Sequence, residues 1–543
     1  MRKKIDRSKK YETVCRIETG EIRQKRARQG GTYHAVSVNK KRMAAYTHVS
    51  AEQDTYQNRY KARQLSGFKK KKLQNAAVYD IFFISNTRKG SAMRLKFRLS
   101  TTQTIMLSFL AAILLGSALL ALPISAAGGR AVPYLDALFT ATTSVCVTGL
   151  VTLPTVSTWS VFGQIVILIL IQAGGLGIVT VIAGVMLRLH RRLGLVDRML
   201  IRDSFNLNTM SGLVSFLKRV LIGTFAVEGT GALLYMTVFV PVYGPKGIWI
   251  SVFNAISAFC NAGIDIVGEN SLCPYVLNPT VSLTTCLLII LGGIGFFVWW
   301  DLLDVLRQFR RQKFKCLRQL SLHSKIALSS TGLLLAVGAL LFFLFEYDNP
   351  RTIGDFGLPS KILASFFQSV TTRTAGFATV PQEDLSGSSS LFSLLLMMIG
   401  GSPTGTAGGI KTVSFTVLIA SAFATVQGRE DPVMFGRTIS KPAVAKAVAV
   451  AGVSLVITFT SALLLEALTK ADFLDVLYEA VSATATVGLT RNFTGTLAAP
   501  GKLVLIMTMF LGRIGPISLF IVLNANKNDN SKVKYPTEQI SVG

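Results

Sequence analysis

The sequence predicts an all-α membrane protein of four tandem helix–pore loop–helix repeats. It has eight transmembrane helices and four re-entrant half-helices in a pseudo-four-fold arrangement around one pore. Three observations predict this. Half of the 543 residues are hydrophobic, and the mean hydropathy is +0.47. Apolar runs of 18 or more residues recur to the end of the chain, long enough to cross about 30 Å of hydrocarbon. Four short apolar loops, each with one glycine, recur at roughly 110-residue spacing: SVCVTGL (Ser144–Leu150), AFCNAGI (Ala258–Ile264), TTRTAGF (Thr371–Phe377) and ATATVGL (Ala483–Leu489).

Residues 1–92 hold 23 Lys+Arg against 7 Asp+Glu, about +16 of the formal net charge of +29. They contain no apolar run of spanning length, so they read as a basic, disordered cytoplasmic extension. A mis-assigned start is the alternative, because Met93 opens a short basic stretch leading directly into a hydrophobic helix. The Lys69–Lys72 run has a nucleic-acid reading, but beside membrane spans it reads as cytoplasmic anchoring; no nucleic-acid partner is expected.

The repeats are expected over 93–190, 191–306, 307–423 and 424–524, with a cytoplasmic tail at 525–543. Their outer helices are expected near 103–123, 215–240, 326–346 and 447–468, and their second helices near 162–186, 283–306, 391–423 and 502–523. Between each pair lies an amphipathic segment too short to span: 134–144, 247–258, 360–370 and 472–483. Such a segment, ending in a glycine-bearing loop, suits a half-helix that enters and returns. Non-helical backbone survives at membrane depth only where it lines water or is buried in protein.

The connecting loops are basic: Arg188, Arg191, Arg192, Arg198 and Arg202; Arg307, Arg310, Arg311, Lys313, Lys315 and Arg318; Arg429, Arg437, Lys441 and Lys446. Residues 247–306 carry no Lys or Arg but do carry Asp265 and Glu269. This asymmetry predicts a multi-pass protein with both termini cytoplasmic and the re-entrant loops outside.

The loops carry the chemistry. A potassium ion losing its water needs several oxygens at once, and backbone carbonyls supply them without a fixed charge that traps the ion. Carbonyls converge on an axis only in unusual backbone conformations, which glycine adopts at low cost. The residues preceding the glycines vary (Thr148, Ala262, Ala375, Val487), which suits a site made by main chain. The candidate filter comprises Val145, Cys146, Val147, Thr148 and Gly149; Phe259, Cys260, Asn261, Ala262 and Gly263; Thr372, Arg373, Thr374, Ala375 and Gly376; and Thr484, Ala485, Thr486, Val487 and Gly488. The ion expected at the filter backbone is K⁺.

These loops carry one glycine each, unlike the TVGYG filter of potassium channels. Together with GGSPTGTAGGIKT (Gly400–Thr412) and FLGRIGP (Phe510–Pro516), they make the region from about Met93 to Ile521 resemble the Trk/Ktr/HKT potassium-transporter superfamily. The similarity is greatest to the bacterial Ktr membrane subunit (KtrB-like). The Trk-type branch has two further N-terminal helices that this chain lacks, and residues 1–92 match nothing in the family pattern. The resemblance implies plasma-membrane uptake of potassium, with Na⁺ as activator. It implies a homodimer on a cytoplasmic, nucleotide-binding regulatory ring (KtrA-like). Glycine in all four loops favours potassium, because members with serine in the first loop tend to sodium permeability.

The second helices carry AGGLG (Ala173–Gly177), LGGIG (Leu291–Gly295), GGSPTGTAGG (Gly400–Gly409) and LGRIG (Leu511–Gly515). The third is too rich in glycine and proline to be helix, and a flexible break below the filter is a natural gate. The resemblance implies an intramembrane loop obstructing the pore at Gly400, Gly401, Ser402, Pro403, Thr404, Gly405, Thr406, Ala407, Gly408, Gly409 and Lys411. It implies that Arg513 acts with the loop. A cation at membrane depth is expensive; a salt bridge to a carboxylate is the alternative use of Arg513. Arg373 is expected to pair with a half-helix end or an acidic loop residue. Glu228 and Glu466 are also costly, and the sequence shows no partner for either.

Six cysteines (Cys15, Cys146, Cys260, Cys273, Cys286, Cys316) form no CxxC pair and no metal-site spacing with histidine. No disulfide and no covalent cofactor is expected. Cys146 and Cys260 are expected to point away from the pore axis. The four histidines (His34, His48, His190, His323) fall in the tail or cytoplasmic loops, which speaks against a membrane enzyme. Four parallel repeats speak against a secondary transporter of small solutes, whose repeats are commonly two and inverted. A sodium-permeable transporter of the same superfamily is the runner-up. No GxxxxGK[ST] and no GxGxxG opens a strand–helix unit, so nucleotide control must come from a partner.

Overall fold

The computed structural model describes residues 100–189, 194–204, 212–307 and 313–515. The expected start at Met93, the extension 1–92 and the tail 525–543 lie outside these residues.

Among the described residues four helices are long and apolar enough to cross a membrane: α1 (Thr101–Leu120), α6 (Leu213–Tyr243), α10 (Leu322–Glu346) and α14 (Lys441–Leu468). Only 22–28% of their most apolar windows is buried within the chain. Leu115, Phe225, Leu333 and Phe459 are among the side chains left exposed, as lipid-facing surface requires. Helix α10 begins at Leu322, so His323 sits in its first turn rather than in the preceding loop.

Each long helix is followed by a short one: α2 (Tyr134–Cys146), α7 (Lys246–Cys260), α11 (Leu358–Thr371) and α15 (Phe473–Ala485). These are too short to span, yet they are the core. Every residue from Phe139 to Cys146 and from Tyr478 to Ala485 is buried. Some buried hydroxyls in them are satisfied one turn back: Thr140 donates to the Asp136 carbonyl at 2.8 Å, and Ser144 to that of Thr140 at 2.6 Å.

The expected second helices are not continuous. The first is α3 (Val161–Leu176) and α4 (Ile178–Arg188), bent by 100° at Gly177. Helix α5 (Leu195–Ser204) follows. The second is α8 (Pro279–Ile294) and α9 (Phe296–Leu306), bent by 97° at Gly295. The third is α12 (Gly387–Met398) and α13 (Thr412–Val426), separated by a non-helical stretch. The fourth, α16 (Ala499–Ile514), stops at Gly515, and the rest of its expected range to 523 lies outside the described residues. Gly177, Gly295 and Gly515 have φ of +84°, +95° and +88°, a region closed to ordinary side chains. The last glycines of AGGLG and LGGIG are therefore the breaks in the first two second helices. Counting each bent pair as one span gives six among the described residues by length and composition.

A two-residue hairpin, β1 (Val433–Met434) and β2 (Arg437–Thr438), closes the connection before α14 through Phe435 and Gly436, both at positive φ. The larger packing order is cyclic. Helix α3 lies against α7, α8 against α11, α12 against α15, and α16 against α2. The last contact joins the end of the described chain to its beginning.

Candidate functional site

The four short helices end where the four loop glycines meet. A methyl group placed on Gly149 would lie 2.6 Å from the Ala262 oxygen and 3.1 Å from Gly263 Cα. On Gly263 it would lie 2.7 Å from the Ala375 oxygen and 2.8 Å from Gly376 Cα. On Gly376 it would lie 2.5 Å from the Val487 oxygen and 3.2 Å from Gly488 Cα. On Gly488 it would overlap the Thr148 oxygen and lie 2.8 Å from Gly149 Cα. The glycines thus form a closed ring, each against the carbonyl that precedes the next. Any side chain at these positions intrudes on that ring.

The backbone around the ring is held in an uncommon state. Gly149, Gly263, Gly376 and Gly488 have φ of +98°, +63°, +83° and +97°. Two residues earlier, Val147, Asn261, Thr374 and Thr486 are also left-handed, at +55°, +59°, +63° and +52°. Three of these are β-branched, for which a positive φ is a genuine outlier costing about 1–3 kcal/mol each. Alternating the sign of φ turns successive peptide planes so that their carbonyls face one side.

Supporting hydrogen bonds recur. The amides of Thr148, Ala262 and Val487 donate to the carbonyls of Thr143, Ser257 and Ser482 at 2.8–2.9 Å. Thr143 and Ser482 hydroxyls accept from the Gly149 and Gly488 amides at 2.9 and 3.0 Å. Ser257 and Thr371 hydroxyls donate to the Ile264 and Phe377 carbonyls, both at 2.5 Å. The helix C-termini that carry these loops present about half an elementary negative charge each. With four sets of carbonyls, this suits a desolvated monovalent cation. None of the candidate filter residues is acidic.

Glycines of three second helices press on the loops from behind. A methyl on Gly174, Gly292 or Gly512 would overlap the carbonyl of Val145, Phe259 or Thr484, in each case four residues before the ring glycine. Cys260 Sγ lies beside Gly175 and near Gln172 Oε1, at 3.5 Å, turned toward α3.

Residues 399–411, which join α12 to α13, are woven into this assembly. Both ends meet in a neck: the Gly400 amide donates to the Ile410 carbonyl at 3.0 Å, and the Ile410 amide to that of Met398 at 3.1 Å. The tip rests on α8, with Ser402 N–H on the Gly293 carbonyl at 2.8 Å and Thr406 N–H on that of Gly292 at 3.1 Å. Thr406 Oγ1 donates to the Phe259 carbonyl at 3.0 Å, and the Gly408 amide donates to Thr374 Oγ1 at 3.1 Å. Lys411 Nζ caps the Ala407 carbonyl at 2.6 Å.

Arg513 Nη1 donates to the Thr406 carbonyl at 2.8 Å, and Nη2 to that of Gly174 at 2.5 Å. It has no carboxylate partner among the described residues, so the salt-bridge alternative does not hold. Backbone exposed by glycines supplies the acceptors. Among the described residues Arg373 likewise pairs with no half-helix end of the loops and no acid; its Nη2 donates to the Gly400 carbonyl at 3.1 Å.

Some partners were not readable from sequence. Glu228 Oε2 accepts from Gln172 Nε2 at 3.3 Å, between α6 and α3. Glu466 is exposed. Cys273 and Cys286 are unpaired. Lys502 Nζ lies 2.5 Å from Asp136 Oδ1, which also accepts from Thr152 at 2.8 Å. Lys502 and Arg513 therefore fasten the two ends of α16 to α2 and α3 of the first repeat. Lys502 sits in an ordinary span position, and nothing local marks its partner 366 residues away.

The family described as TrkH, cation transport protein, matches residues 85–533. The Ktr system potassium uptake protein B of Bacillus subtilis is 38% identical over 447 residues, covering 82% of this chain and 97% of that protein. The potassium/sodium uptake protein NtpJ of Enterococcus hirae is 36% identical over 457 residues, covering 83% and 99%. The solved structure of the potassium transporter TrkH from Vibrio parahaemolyticus superposes with a TM-score of 0.61 at 17% identity, over 79% of this chain and 86% of that one.

Proposed function

The chain belongs to the TrkH family of cation transport proteins, and from that premise we propose that it takes up potassium across the plasma membrane as the ion-translocating subunit of a Ktr-type system. The observation that carries this reading is the closed ring of Gly149, Gly263, Gly376 and Gly488. Its four loops act as the selectivity filter, offering carbonyls from residues 145–149, 259–263, 372–376 and 484–488. Ions enter from outside, shed water at the ring and pass the gate at residues 400–411 and Arg513. The cyclic packing of second helices on short helices supports eight helices in pseudo-four-fold order about one pore. Both termini are cytoplasmic, and residues 1–92 lie outside the transport unit.

An inside-negative potential supplies about 2.3 kcal/mol per charge per 100 mV, enough to concentrate potassium passively. Control comes from a cytoplasmic nucleotide-binding ring bound by a homodimer, with sodium promoting transport. The test is rescue of a potassium-uptake-deficient bacterium at low potassium, with and without sodium. Growth restored by the parent and not by Gly376→Ser supports the reading. Absence of rescue by a well-expressed, membrane-inserted parent together with its regulatory subunit contradicts it. The similarity to a potassium/sodium uptake protein favours sodium permeation as the second reading, and the sodium dependence of growth separates the two.

A further inference from the structure

The third loop differs from the other three. Helices α2, α7 and α15 run to three residues before their ring glycines, whereas α11 ends at Thr371, five before Gly376. Its amide lock is correspondingly shorter: Ala375 N–H reaches back only to the Thr371 carbonyl, at 3.0 Å. Beside it stands the neck of residues 399–411 rather than a helix.

Two side chains of the third loop hold that neck. Arg373, 8% exposed, donates to the Gly400 carbonyl at 3.1 Å. Thr374, kept at φ +63°, accepts from the Gly408 amide at 3.1 Å. The neck itself is tight, because a methyl on Gly400 would overlap the Gly408 carbonyl. Behind it, Arg373 and Gly401 share a small cavity with Asn261 of the second loop, both of whose amide atoms lack a partner. Arg373 Nε is also unpartnered there. Displacing the neck breaks two bonds to the one loop whose short helix ends five residues before its ring glycine.

We propose that Arg373 and Thr374 are positioning residues that couple the glycine ring to residues 400–411, so that ion selectivity depends on where that loop stands. This rests on the reading of the ring as filter and the loop as gate. With the neck docked, the Gly400 carbonyl and the Gly408 amide hold Arg373 and Thr374, and the Ala375 carbonyl faces Gly263. With the neck displaced, both bonds are lost and the third loop withdraws from the ring.

The test uses the full-length protein in proteoliposomes, reading potassium flux and the ratio of potassium to sodium permeation. Thr374→Val keeps the β-branched shape and removes only the acceptor. Arg373→Gln removes the reach to Gly400, and Arg373→Lys restores part of it. Each is made in the parent and in a chain lacking Pro403–Gly405. Thr374→Val and Arg373→Gln are expected to lower the potassium preference about fivefold or more, with Arg373→Lys in between. The shortened loop is expected to lower it similarly, and adding either substitution to it is expected to change nothing further. Unchanged selectivity in Thr374→Val and Arg373→Gln, or losses that multiply with loop shortening, overturns the coupling while leaving the transport reading intact. If Arg373→Gln does not fold, Thr374→Val decides alone. A parent that passes no potassium overturns both.

Discussion

Arg513 donates to the Thr406 carbonyl on one side and to the Gly174 carbonyl on the other, at 2.8 and 2.5 Å. One guanidinium thus ties the loop between α12 and α13 to the first of the bent helices, with no acid to neutralise it among the described residues. It is a mechanical restraint as well as a positive charge.

Arg513→Ala is therefore expected to raise potassium flux through the membrane subunit alone. A hydrogen bond from a charged group contributes about 1.5–3 kcal/mol. Losing one shifts a closed–open balance by about tenfold to about a hundredfold, since about 1.4 kcal/mol is a factor of ten. Arg513→Lys keeps the charge but cannot span both carbonyls, and an intermediate flux is expected. If alanine and lysine conduct no faster than the parent at matched protein levels, Arg513 does not restrain the loop.

The glycines behind the loops give a prediction with an internal control. Gly174→Ala, Gly292→Ala and Gly512→Ala each drive a methyl into a backbone carbonyl, an overpacking cost of about 1–3 kcal/mol. Lower thermal unfolding temperatures of the purified protein are expected for all three. Gly332→Ala and Gly452→Ala have open space around the added methyl and are expected to be neutral. Equal behaviour of the two groups sinks the contact argument.

Asp136 and Lys502 are expected to act as a pair across the seam between the first and last short-helix regions. Both side chains are largely buried, at 10% and 16% exposure. Removing one partner strands the other, at about 3–5 kcal/mol for a fully buried pair. Asp136→Asn and Lys502→Met should each destabilise the protein, and the double variant should cost less than the sum. Additive losses in that cycle contradict a direct pairing.

Residues 1–92 are expected to be dispensable for transport. A chain begun at Met93 should insert and restore potassium uptake. Normal expression without uptake assigns the extension a role in transport.

The ring was legible in the sequence because a main-chain site constrains the one residue type that tolerates its backbone. Four glycines in similar settings, each after a short amphipathic segment, carry that constraint openly. The break at 400–411 was legible for the same reason, since six glycines and prolines in ten residues cannot stay helical. The bends at Gly177 and Gly295 were not. An apolar run has the same composition whether it crosses straight or turns by 100°, and AGGLG and LGGIG serve close packing as well as breaking. Partners were hidden wherever they are backbone atoms or lie far along the chain. Nothing beside Arg513 or Arg373 announces a carbonyl acceptor, and Asp136 and Lys502 meet only because the packing order closes on itself. The left-handed Val147, Thr374 and Thr486 were equally hidden, because β-branched residues argue against that conformation until the surrounding ring imposes it.

The central claim is that potassium crosses at the ring of Gly149, Gly263, Gly376 and Gly488. The most direct measurement is the potassium-to-sodium permeation ratio of Gly376→Ser against the parent in proteoliposomes at matched protein levels. A side chain there meets the Val487 oxygen at 2.5 Å and Gly263 Cα at 3.0 Å. The account predicts potassium-preferring flux in the parent, and in Gly376→Ser a loss of that preference or a raised half-saturation for potassium. A well-folded Gly376→Ser protein with the parent's affinity and selectivity would contradict it.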